Sequence, residues 1–162
     1  MTPLTNITYH LEMHSPDELL ASAQKVEIEL RQEGALFSQQ MYMQVGVMWR
    51  WNDRRDWTSE QWEELHGQGA TRTYAGIVDG EVIGYFELDL TEENESEIIY
   101  FGLLPDYIGK GLGGAFLTKC IETAWSQPAT RRVWVHTCTF DHEHALANYQ
   151  ARGFKLFKTE ES

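Results

Sequence analysis

Pro105-Asp-Tyr-Ile-Gly-Lys-Gly-Leu-Gly-Gly114 is the stretch on which the reading of this chain turns. Four glycines, at 109, 111, 113 and 114, stand between an apolar run and a segment of helical character over residues 111–126. Without Cβ atoms the backbone turns tightly and brings successive N–H groups against one ligand. A helix starting there adds unpaired donors and the positive end of its dipole, which suits a phosphate or pyrophosphate. The competing reading of the same glycines is a turn needed only for close strand-to-helix packing.

By spelling alone, Gly109-x-Gly111-x-x-Gly114 also matches a dinucleotide fingerprint, but that motif wants an acid about 20 residues on to hold a ribose. The corresponding region here, Ala129-Thr-Arg-Arg-Val-Trp-Val135, has none. Lys110 is not followed by Ser or Thr, so a Walker phosphate loop is absent as well.

Outward from the turn, Glu97–Leu104 is nearly all apolar, as a strand buried on both faces requires. Arg132–Cys138 reads as the next strand, residues 142–152 as a helix capped by Asp141, and FKLFK as a final strand after Gly153. Strand, turn, helix, strand implies a parallel pair joined by a right-handed crossover. Upstream, Asp79-Gly80 joins strands 73–78 and 81–90 as a hairpin. Alternation puts Val82, Gly84, Phe86 and Leu88 on one face and Ile83, Tyr85, Glu87 and Asp89 on the other. Residues 5–12 read as a first strand. Ser15-Pro-Asp-Glu18 reads as the capped start of a helix running to Gly34, although VEIEL within it also alternates with period two. Residues 35–50 read as another helix, and Thr58 or Ser59 caps a short one ending at Gly67.

The chain has 162 residues, which suggests one domain over 1–162, with a helical part over 1–70 and a core over 71–162. Its net charge of -12 argues against nucleic-acid binding and is compatible with a cationic substrate. Cys120 and Cys138 form no disulfide framework and no metal spacing. Neither a secretory leader nor a membrane-spanning run is visible, so the expected setting is the cytoplasm.

Residues 73–159 resemble the GNAT superfamily of acyl-CoA-dependent N-acyltransferases. The family's pyrophosphate motif, (Gln/Arg)-x-x-Gly-x-(Gly/Ala), falls on Ile108-Gly-Lys-Gly111-Leu-Gly113. An Ala-x-x-x-Tyr helix followed by Gly-Phe falls on Ala145, Tyr149, Gly153 and Phe154. Ile108 departs from the usual Gln or Arg, and His142 stands where many members have an Asn touching CoA. The resemblance implies an α/β fold: a mixed, mostly antiparallel twisted sheet flanked by helices, with a splayed central parallel strand pair. It implies acetyl-CoA as cosubstrate, held by Ile108, Gly109, Lys110, Gly111, Leu112, Gly113 and Gly114. Its pantetheine arm would lie along the backbone of Leu103 and Leu104, with Asn148 beside it. The acyl group would pass directly to an amine, more readily a small molecule than a protein, in a monomer or homodimer with no nucleic-acid or membrane partner.

Such chemistry needs a base, because an alkyl amine with a pKa near 10.4 arrives protonated. Glu97 is the first candidate, since the histone-acetylating branch places its catalytic Glu at the same sixteen-residue spacing before Gly113. Glu87, mid-strand, is the second. Tyr149 matches the family tyrosine that protonates the leaving thiolate. Tyr85, Trp51 and His136 are candidates for the acceptor pocket, within which Trp49–Trp57 supplies aromatic walls and arginines suited to a flat or carboxylate-bearing acceptor. No metal site is expected. A non-catalytic acyl-CoA sensor and a dinucleotide-binding oxidoreductase are the rival readings.

Overall fold

The computed structural model describes residues 5–47, 49, 51–142 and 144–161. Met48, Arg50 and Glu143, which fall within segments read above, lie outside the described residues, as do residues 1–4 of the leader reading. The described elements are β1 (Ile7–Met13), β2 (Glu29–Glu33), α1 (Ala35–Gly46), α2 (Ser59–Gly67), β3 (Thr71–Val78), β4 (Glu81–Asp89), β5 (Glu95–Leu103), α3 (Gly113–Ser126), β6 (Arg132–Cys138), α4 (Ala145–Ala151) and β7 (Lys155–Glu161).

The strands form one sheet in the order β2-β3-β4-β5-β6-β1-β7. Every neighbouring pair is antiparallel except β5 and β6, which are parallel over Glu95–Ile98 and Arg132–Val135 only. Beyond Ile98 and Val135 the two strands part, and the site lies in that opening. α3 buries Phe116, Leu117, Cys120, Ile121 and Ala124 on one stripe against Phe86, Leu88 and Ile98 of the sheet. Each large apolar side chain so buried contributes roughly 1.5–3 kcal/mol. A second cluster of Met41, Val45 and Tyr85 seats α1 on the other face. Between two such layers β4 is buried almost throughout.

Three expectations need correction. The helix read from Ser15 to Gly34 is a single 3₁₀ turn at Pro16–Glu18, with both halves of the capping box formed. The chain then runs without regular structure, donating Leu20 N–H to Arg152 O and Ser22 N–H to Thr118 Oγ1, before β2 pairs with β3. Only the last two residues of VEIEL, Glu29 and Leu30, enter β2, which forms over Glu29–Glu33 because β3 offered it an edge, a contact no local propensity encodes. The even alternation of β4 is also broken. The β3 ladder pairs Gly76 with Gly84 and Ile77 with Val82, so Ile83 is a bulge residue and packs with Phe86 and Leu88. Asp141 does not cap α4, whose N-cap is His144; its carboxylate bonds Trp51, Thr137 and Cys138 instead.

Two strands from the first 33 residues complete the sheet, so the helical part expected before residue 70 includes β1 and β2. β1 is inserted between β6 and β7.

Candidate active site

Where β5 and β6 part lies a cavity of about 850 Å³. Its wall includes Gly109, Gly113 and Gly114 from the glycine turn and Leu103 and Phe101 from β5. Asn148 and Tyr149 come from α4, His136 and Cys138 from β6, and Trp49, Trp51 and Asp53 from the segment after α1.

The glycines divide their work. Gly109 and Gly111 sit at φ +80° and +76°, which a side chain rarely tolerates. Gly114 answers a different need, because a Cβ there would come within 2.8 Å of Arg152 and 3.0 Å of Ser22. The first hydrogen bond of α3 runs from Phe116 N–H to Leu112 O, and no side chain caps the helix. The N–H groups of Gly113, Gly114 and Ala115 therefore lack intrahelical acceptors at the positive end of the dipole. That donor set fits a pyrophosphate. Asn148 Nδ2–H donates to Gly113 O at 3.3 Å and ties α4 to the turn.

Several expected residues stand away from the cavity wall. Lys110 carries its ammonium over the Tyr107 ring at 5.6 Å, Gly111 lies beside Gln24, and Leu112 packs into the core. Leu104 N–H donates to Ile83 O, so the strand edge ends at Leu103. Tyr85 is fully buried with its hydroxyl unpartnered and supports Trp51, ring to ring at 6.4 Å.

The two candidate carboxylates differ sharply. Both oxygens of Glu87, 1% exposed, accept from Arg54 at 2.8 Å, and Arg54 is itself 11% exposed. The Arg54 guanidinium lies 4.8–5.0 Å from the ring centres of Trp57, Trp62 and Tyr100, and Tyr42 Oη accepts its backbone N–H. The geometry gives Glu87 the task of anchoring the Trp-rich loop. Glu97, 15% exposed, has Oε2 at 3.4 Å from Nδ1 of His136, which is 44% exposed. Glu97 sits opposite Trp134 in the parallel ladder, so His136, two residues on, shares its face. The hydrogen bond that His136 donates to Glu97 raises the His136 pKa above 6.5 against the opposing pull of burial. His136 lines the cavity and Glu97 stands behind it.

Tyr149 is buried between Phe101 and Phe154, and that burial lifts its pKa well above 10, which keeps the phenol protonated. The β4 ladder pairs Glu87 with Tyr100 and Leu88 with Ile98, so Ile99 is unmatched, and it lines the cavity.

Sequence reasoning placed Asp53 in the pocket only as part of Trp49–Trp57, without singling it out, and missed Tyr100, Phe140 and Asp141 as wall residues. Tyr100 and Ile99 lay in a strand read correctly, but a bulge decides which side chain faces the opening. Asp53 sits in an irregular turn with no periodicity to read. Among the described residues no group of three or more His, Cys, Asp or Glu is placed to hold a metal ion. No described helix is long and apolar enough to cross a membrane.

No curated protein matches the sequence. Among solved structures, a GCN5-related N-acetyltransferase from Sphaerobacter thermophilus superposes with a TM-score of 0.71 at 13% identity, over 98% of this chain and 50% of that one. One from Kribbella flavida gives 0.67 at 14% identity, over 94% and 55%. An IAA acetyltransferase from Bacillus cereus ATCC 14579 gives 0.57 at 21% identity, over 82% and 79%. The chain thus spans only about half the length of the first two, and the likeness to all three is one of fold. The sequence model described as "Acetyltransferase (GNAT) family" matches residues 30–154, most of the chain, and covers the glycine turn, the parting strands and the α4 tyrosine together. This chain belongs to the acetyltransferase (GNAT) family.

Proposed function

We propose that the protein transfers an acetyl group from acetyl-CoA to a primary amine by direct attack within a ternary complex. The observation that carries this reading is the continuity of the cavity from the bare amides of α3 to the His136 ring. The pyrophosphate would rest on the N–H groups of the glycine turn, and the pantetheine arm would follow β5 past Leu103. The acyl carbon would lie between His136 and Tyr149.

The acceptor ammonium loses one proton to His136, whose imidazolium Glu97 stabilises. The free amine forms the C–N bond, and collapse of the adduct breaks the C–S bond. The thiolate takes a proton from the Tyr149 phenol, the adduct nitrogen gives its second proton back to the resulting phenolate, and the proton held by His136 is the one released overall. The ladder gap at Ile99 leaves main-chain groups for the oxyanion. Nothing in this scheme requires Glu87, which Arg54 occupies on both oxygens.

Thiol release from acetyl-CoA across a panel of primary amines tests the proposal. Amine-dependent release of CoA is expected. Tight acetyl-CoA binding with no release from any amine would instead favour an acyl-CoA sensor, and stabilisation by NAD(P) alone would reverse the reading of the glycine turn.

A further inference from the structure

Asp53 and Arg54 are adjacent and face opposite ways. Arg54 is drawn inward by Glu87, whereas Asp53 is exposed on the cavity wall. Of the other carboxylates here, Asp141 accepts from Trp51 Nε1, Thr137 Oγ1 and Cys138 N–H, and Glu97 holds His136. Among the described residues no hydrogen-bond donor or cation is paired with the Asp53 carboxylate. Its charge nonetheless reaches across the opening, where it helps to raise the proton affinities of His136, Cys138 and Tyr100.

The surrounding wall complements a cation. No described Lys or Arg lines the cavity, whereas Trp49, Trp51 and Phe140 do; Tyr100 lines it as well, with Arg54 already over its ring. Ring faces attract positive charge, most strongly when partly shielded from water. A carboxylate-bearing acceptor, which the arginines of this loop suggest when read as sequence, finds Arg54 already taken by Glu87.

We propose that the acceptor carries a second, fixed positive centre besides the amine that is acylated, and that Asp53 with the aromatic wall holds it. This inference rests on the acyl-transfer reading above. One nitrogen of the acceptor gives its proton to His136 and forms the C–N bond. The other stays charged throughout and orients the first, so Asp53 determines specificity without exchanging a proton.

Three primary amines built on a four-carbon chain separate the possibilities: butylamine, 4-aminobutanoate and (4-aminobutyl)trimethylammonium. For each, kcat/KM is measured by thiol release and affinity by calorimetry in the presence of CoA, for the wild type and Asp53→Asn. The trimethylammonium compound is expected to exceed butylamine by about tenfold in kcat/KM and in affinity, with 4-aminobutanoate lowest. Asp53→Asn is expected to bring the trimethylammonium compound and butylamine within about twofold while acetyl-CoA affinity shows the fold intact. Equal values for the three amines, a preference for the carboxylate, or a ratio untouched by Asp53→Asn would overturn the proposal. If no amine releases CoA, the acyl-transfer reading fails, and calorimetry alone then decides: a tail-charge preference lost in Asp53→Asn upholds the cation site, and its absence overturns it.

Discussion

Glu87 and Glu97 stand on neighbouring strands, each nominated by sequence as the base, and each meets a cationic partner. On β4 the partner is Arg54, bidentate, at 2.8 Å, with both groups almost fully buried. On β5 it is His136, through a single contact at 3.4 Å beside the cavity. An Arg cannot give up its proton at any working pH, whereas a His titrates within the physiological range. The first pair is therefore a fixed clamp and the second can pass protons. In the proposed mechanism, what separates the anchoring carboxylate from the one that serves the base is the partner and its access to the cavity, not the carboxylate.

The largest effect should come from the pair that moves protons. His136→Gln and Glu97→Gln are each expected to lower turnover by roughly 10²–10⁴ with acetyl-CoA affinity nearly unchanged, read by steady-state kinetics and calorimetry. Should Glu87→Gln instead give that loss in a fully stable protein, the roles of the two pairs are exchanged.

The clamp should show itself in stability. Glu87→Ala leaves Arg54 buried without its counter-ion, and denaturant unfolding is expected to show a loss of about 3–5 kcal/mol. Replacing both members together, Glu87→Leu with Arg54→Met, should recover most of that, because the desolvation cost of both charges disappears. A double variant as unstable as the single one would mean that the ion pair is not what Glu87 supplies.

Smaller still is the contribution of Tyr42, whose hydroxyl accepts Arg54 N–H at 2.9 Å. Tyr42→Phe is expected to cost about 1 kcal/mol in unfolding free energy and to raise the KM for the amine more than it lowers kcat, since it loosens the loop that bears Trp51 and Asp53. An unaltered KM would detach the loop's anchoring from acceptor binding.

Much of this was legible because the signals were local. The glycine turn, the Asp79-Gly80 hairpin, the Thr58 cap and the apolar run of β5 each declare themselves within a few residues. What was not legible depends on contacts distant in sequence. Residues 19–33 follow helical spacing until β3 and the ends of α3 and α4 claim them. The bulges at Ile83 and Ile99 are set by strand pairing, and they decide which residues reach the cavity. Arg54 and Glu87 are 33 positions apart, and no pattern within the Trp-rich loop says which of its arginines will be drawn inward. The same gap hid Asp53.

The pH dependence of kcat/KM for the amine, compared between the wild type and Glu97→Gln, tests the central claim most directly. Imidazolium cannot accept a proton, so activity should rise as pH rises through the His136 pKa, which Glu97 holds above 6.5. Removing the carboxylate charge lowers that pKa, so the inflection of Glu97→Gln is expected at lower pH, with a lower plateau. An inflection that stays in place in Glu97→Gln, or persists unchanged in His136→Gln, would contradict the assignment of this pair as the base.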